Sequence, residues 1–116
     1  MKDQAMTTYL QVQTAVKGYR NGTKLAWSIT GARLAACVRI VGPVQSVRWE
    51  EGRVRQVEEW QLLIQTTAEA FPALEAHITA NHPYDTPEII ATPIVTGSAG
   101  YLSWIGRKTK RIDTSS

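Results

Sequence analysis

The sequence predicts one α+β domain, a ferredoxin-like βαββαβ sandwich with a long central hairpin and a short C-terminal helix. Three observations carry this. Thr8 to Thr14 alternates polar and apolar residues at the period of a strand. Two long β-branched runs meet at Glu51-Gly52 and read as a hairpin. One segment of helical spacing precedes those runs and another follows them, which is the split βαβ order. At 116 residues and 43% apolar content, the chain has the length and composition of a single packed domain.

Each element has its own warrant. In "TYLQVQT", Tyr9, Gln11 and Gln13 share one face and Leu10 and Val12 the other. "KGYRNGT" carries two glycines and an Asn-Gly step, the mark of a loop. Thr23 then serves as N-cap of a helix of about ten residues, with Leu25, Ala26, Ile29 and Ala32 on its stripe. Trp27 lies off that stripe, which implies a second covered surface. "LAACVRIVGPVQSVRW" and "RVRQVEEWQLLIQT" are the hairpin arms, with Pro43 at a bulge or an edge. In the second arm Trp60, Leu62 and Ile64 face one way, and Gln61 and Gln65 the other. Phe71, Leu74 and Ile78 define the next helix, with Pro72 in its first turn. "EIIATPIV" is an apolar last strand interrupted by Pro93. Ser98 caps a short helix holding Tyr101, Leu102, Trp104 and Ile105, and Gly106 ends it. The domain is therefore expected over residues 7–106, with 107–116 a basic, polar tail.

The hairpin is too long for its domain. Cys37 to Trp49 reaches roughly 40 Å at ~3.3 Å per residue. A compact domain near this length has a radius of gyration of only ~13 Å. The far end, with Val44, Val47, Trp49, Val54 and Val57, should overhang, and an apolar strand-edged projection needs cover. A second copy of the same chain is the simplest cover, so a homo-oligomer is expected.

Composition narrows function. Net charge is +3, with 13 basic against 10 acidic residues. The one dense basic cluster, Arg107, Lys108, Lys110 and Arg111, reads as a solvated terminus, so no nucleic-acid partner is expected. An RNA-binding module of this fold would show exposed aromatics in a string such as Gly-Phe-Gly-Phe, which the chain lacks. The single cysteine, Cys37, excludes an intrachain disulfide and fits a reducing compartment. No apolar run approaches the ~18 residues of a membrane span, and "MKDQAMTTYL" lacks the apolar core of a signal peptide. A cytoplasmic protein without membrane contact is expected.

Catalytic motifs are missing: the chain has no GxGxxG, Walker loop, Gly-x-Ser-x-Gly or paired CxxC, so no enzyme is expected. The chemistry-bearing residues gather in "NHPYDTPEII". Pro83 and Pro87 stiffen the chain there, so His82, Tyr84, Asp85 and Glu88 are displayed with little freedom. Two readings stand side by side. The imidazole, phenol and carboxylates hold a metal or small ligand, or His82 and Tyr84 satisfy buried groups at a subunit contact. Cys37, flanked by Ala36 and Val38, reads as a small buried hydrophobe. His77 and His82 are five apart across a helix end, which is not the spacing of a helical zinc pair.

Four segments, "RLAACVRI", "SVRWEEG", "EEWQLLIQT" and "HPYDTPEIIATPI" followed by "YLSWI", resemble in order those of the CutA1 divalent-cation tolerance family, over roughly residues 33–105. The resemblance implies a homotrimer with long hairpins and sheet edges shared between subunits, cytoplasmic, binding copper or another divalent cation. It also implies an architecture similar to PII-type sensors, which would put a small ligand in the intersubunit clefts. Copper-binding relatives place a cysteine at the end of the first strand and a His-His pair before Pro-Tyr; Gln13, Asn81 and His82 stand at those positions here. His82, recruiting Asp85 or Glu88, is then the metal candidate, and Cys37, Tyr84, Glu88, Trp49 and Trp60 mark the intersubunit or ligand cleft. An aromatic usual in the hairpin tip is Arg48 here.

Overall fold

A computed structural model describes residues 8–112. Residue 7 of the expected domain and residues 113–116 of the expected tail lie outside them. The elements are β1 (Tyr9–Val16), α1 (Tyr19–Gly31), β2 (Cys37–Glu50), β3 (Arg53–Thr67), α2 (Phe71–Asn81), β4 (Ile90–Pro93) and α3 (Ala99–Lys108). The strands form one antiparallel sheet in the order β2-β3-β1-β4, the ferredoxin-like arrangement.

The alternation in β1 sends Val12 and Val16 into the core, where they meet Leu62 and Ile64 of β3. Leu25 and Ile29 of α1 and Leu74 and Ile78 of α2 close that core. Leu74 and Ile78 are fully buried, each contributing about 1.5–3 kcal/mol of transfer free energy. Pro72 sits in the first turn of α2, where no backbone donor is lost.

Several expectations are corrected. The first helix begins at Tyr19, not Thr23, and runs 13 residues. Gly18 starts it at φ 85°, and Thr23 Oγ1 instead donates back to the Tyr19 carbonyl. The Asn-Gly step is helical because Gly22 lies against Val16 and Leu62, where a Cβ would sit 3.4 Å from the valine. Gly106 does not end the last helix, which continues to Lys108. It passes beside Tyr9, whose hydroxyl would lie 3.4 Å from an added Cβ. Ser98 occupies the N-cap position but makes no side-chain capping bond. The last strand is four residues long and exposed throughout, an edge paired only with β1.

The hairpin turns at Glu51-Gly52, both at positive φ (54° and 80°), the two-residue turn whose twist matches paired strands. β2 is an edge strand, and its register shifts between Val41 and Val44, so Pro43 marks both a bulge and an edge. The chain extends 47 Å along its longest axis against 31 and 28 Å across, with a radius of gyration of 15.3 Å. Beyond the bulge the ribbon has two different faces. Val47, Trp49 and Val54 lie on one and are exposed at 65%, 75% and 55%. Val44, Arg48 and Glu50 lie on the other with Val57 and Glu59, both buried. The overhang is therefore apolar on one side and charged on the other.

Candidate functional site

The proline elbow starts where α2 stops. His82 takes an extended backbone (ψ 142°), as Pro83 requires of its predecessor. That turns the ring toward β1, where Nε2 lies 2.9 Å from the Ala15 carbonyl oxygen. The Tyr84 backbone N–H donates to Nδ1 at 3.1 Å. A carbonyl only accepts and an N–H only donates, so the ring is neutral with its proton on Nε2. Burial holds the His82 pKa below its ordinary value, against the weaker opposing effects of the Ala15 carbonyl and the Glu59 charge.

Tyr84 then crosses to the hairpin. Its ring stands 4.8 Å from that of His82, and its hydroxyl donates to Glu59 Oε2 at 2.7 Å. Glu59 is 2% exposed, and the same oxygen accepts Arg48 Nη1 at 2.8 Å. The second guanidinium nitrogen of Arg48 donates to Glu50 at 3.3 Å, and Arg55 approaches Glu50 and Glu51 at 3.5 Å. Burial alone would raise the Glu59 pKa, but the bonds from Arg48 and Tyr84 together hold it below the usual carboxylate range. The Glu59 bond raises Arg48 further above its ordinary value. Burial, helped by the Glu59 bond, pushes Tyr84 up to about 12.

This network forms the floor of an open cleft of about 550 Å³ between the hairpin and the elbow, with Glu50, Asp85 and Glu88 on its walls. Glu88 accepts Gln13 Nε2 at 2.8 Å. The elbow thus joins His82, Tyr84, Asp85 and Glu88 near one site. Cys37, Trp60 and Trp49 lie elsewhere in the chain. Cys37 is half-buried and lines a shallow depression with Trp27 and Ile40. Trp60 packs edge-on against Tyr19, ring centroids 5.0 Å apart. Trp49 is at the hairpin tip, and Trp27 is 77% exposed.

Sequence reasoning missed Glu59 as the center of the network and Arg48 as its partner. Phase gave no signal for it: Glu59 falls with Gln61 on the face of β3 opposite Leu62 and Ile64, and it pairs there with Tyr84 from the elbow and Arg48 from β2.

Copper does not fit the residues that this chain gathers at the elbow. It favors several nitrogen or sulfur donors, yet both His82 nitrogens are engaged with backbone. Gln13 and Asn81 are spent on Glu88 and the His77 carbonyl. Among the described residues no three His, Cys, Asp or Glu side chains are grouped to hold a metal ion. What the cleft offers a cation is carboxylate oxygen. Among the described residues no helix is long and apolar enough to cross a membrane.

Known proteins share this frame. The chain is 43% identical over 99 residues to the rice (Oryza sativa subsp. japonica) protein CutA 1, chloroplastic, covering 85% of this chain and 56% of that one. It thus spans about half the length of the plant relatives it matches. It is 44% identical over 86 residues to the divalent-cation tolerance protein CutA of Thermus thermophilus, covering 73% and 82% of the two chains. The crystal structure of CutA1 from Oryza sativa superposes with a TM-score of 0.87 at 40% identity, covering 92% and 98% of the two chains. The family profile described as CutA1 divalent ion tolerance protein matches residues 10–108, and the chain belongs to that family.

Proposed function

We propose that this chain acts as a homotrimeric, non-enzymatic binding protein in divalent-cation tolerance, meeting cations weakly through the carboxylates of the elbow cleft rather than at a copper center. The observation that carries the reading is the cleft's charge: Glu50, Glu59, Asp85 and Glu88 against the single cation Arg48. Glu59 is committed to Arg48 and Tyr84, which leaves Asp85 and Glu88 as the recruits at the mouth. Oxygen ligands of this kind suit hard divalent ions, and two carboxylates are too few for a tight site. The exposed apolar face of the hairpin supports the trimer, because two sister chains can cover what one leaves bare. The single thiol favors a reducing compartment such as the cytoplasm.

Calorimetric titration of the assembled protein with copper, zinc and manganese tests this. Binding no tighter than about 0.1 mM, weakened by D85N/E88Q and indifferent to His82→Ala, is expected. Micromolar copper binding lost in His82→Ala overturns it. The alternative, a PII-like trimeric sensor, shares the assembly. Saturable binding of nucleotides or small carboxylates at the elbow cleft would replace the cation reading with that one.

A further inference from the structure

Charge on this small chain is segregated. The elbow cleft is acidic. A second and larger cleft, about 970 Å³, opens where the ends of β1 and β3 meet the turn after α1 and the segment following α3. Its walls carry Arg33, Arg107, Lys110 and Arg111 against one carboxylate, Glu69. That is an excess of three positive charges, equal to the formal charge of the whole chain, so the remaining residues sum to zero. The chain's basic character belongs to this one concavity.

One of these cations is pinned in place and the backbone of the segment that carries two others is anchored. Arg33 adopts the left-handed region (φ 60°), and its guanidinium donates to the carbonyl oxygens of Arg107 at 3.0 Å and Lys108 at 3.4 Å. Those carbonyls are the negative end of α3, which would repel an anion if left uncovered. The Lys110 backbone N–H donates to the Arg33 carbonyl at 2.7 Å, and Ile112 N–H to Glu69 Oε2 at 3.0 Å. The segment expected to trail as a basic tail is thus laid along the cleft as far as Ile112. The single carboxylate is already occupied by a backbone donor. Thr109, on the wall and 3% exposed, keeps a buried hydroxyl that has no partner among the described residues. An unpaired buried donor is costly, and an anionic oxygen is the acceptor it lacks.

We propose that this cleft is a binding site for a phosphate-bearing small molecule. Guanidinium groups match phosphate oxygens in pairs, and the lysine adds an unfixed charge. The volume suits a nucleotide-sized ligand. A small anion is favored over a nucleic-acid strand because the cations converge in one concavity rather than along a strip that a polymer backbone could follow.

The 116-residue chain is titrated calorimetrically with pyrophosphate, tripolyphosphate, AMP and ATP, without metal. Saturable binding below about 1 mM that weakens with added salt is expected. In K110E/R111E the affinity falls at least about tenfold, while melting, oligomeric state and cation binding at the elbow cleft stay as in the unsubstituted protein. K110Q/R111Q, which removes charge without reversing it, shows a smaller loss in the same direction and serves if the first variant folds poorly. ATP bound more tightly than tripolyphosphate assigns a nucleotide; equal affinities assign free phosphate chemistry; both support the site. No saturation up to about 10 mM, undiminished affinity in both variants, or preference for single-stranded RNA overturns it.

Discussion

Arg48→Met should turn the most buried charge of the chain against its fold. Glu59 is 2% exposed, and its Oε2 accepts Arg48 at 2.8 Å and Tyr84 at 2.7 Å. Breaking a buried pair by removing one partner costs about 3–5 kcal/mol, because the other charge is left without compensation. Arg48 is itself one-third exposed, and Tyr84 remains as a donor, so about 2–3 kcal/mol is expected at neutral pH. The pH dependence discriminates further. In the unsubstituted protein the Glu59 pKa is depressed, so its contribution is present above the ordinary value of 4.5 and lost as pH falls through the folded value. Without Arg48, burial, already the largest single influence, prevails and raises the pKa. The folded state then gains a proton before the unfolded one does, so acidification from pH 7 toward 5 should raise the stability of the variant relative to the unsubstituted protein. R48M/E59Q, which removes the charge as well, should recover most of the loss. Chemical denaturation at one fixed protein concentration across pH 4.5–8 measures all three. A loss under about 0.5 kcal/mol, or a variant whose pH profile parallels the unsubstituted one, refutes the network as a structural support.

Three further outcomes are expected. Gly42→Ala places a Cβ 2.8 Å from Trp60 Cε3 and 3.2 Å from the Glu59 carbonyl oxygen, so it should cost about 1–3 kcal/mol and shift the tryptophan near-UV dichroism. Because His82 is held neutral below its ordinary pKa of 6.5, lowering pH through 6.5 protonates the unfolded chain first; stability should fall until the folded value is reached, and His82→Gln should flatten that segment of the profile. Trp49→Asp at the exposed tip should leave the subunit's far-UV dichroism intact while weakening self-association by about 1–3 kcal/mol, read by sedimentation equilibrium.

The boundary between what the sequence shows and what it conceals follows from the bulge at Gly42-Pro43. On the globular side of it, period-two alternation assigned β1 and β3 to their faces correctly, because one face is buried and a slip of one residue would expose Leu62 and Ile64. The turn at Glu51-Gly52 was legible from its glycine. Between the two, the turn fixes the register, but which face of the ribbon meets the elbow depends on contacts distant in sequence. Arg48 and Glu59 are eleven apart, and the register places Arg48 opposite Arg55 and Glu59 opposite Val44, so they meet only because the long guanidinium side chain reaches along one face of the ribbon. His82, Tyr84, Asp85 and Glu88 were found because prolines announce a rigid display, yet what the display faces is set by the other side of the cleft. Glycines misled in the opposite direction. Gly22 and Gly106 read locally as breakers, whereas each lets a helix approach a side chain of β1, a tertiary need with no local mark. The basic cluster at the C-terminus read as solvated because its partners, Arg33 and Glu69, are 74 and 43 residues distant in the hydrogen bonds that anchor it. In each case the local pattern established that a residue is constrained, and only long-range pairing established by what. The elbow and the basic cleft both lie at such pairings, where the chain's two excesses of charge are kept apart by the sheet's own topology.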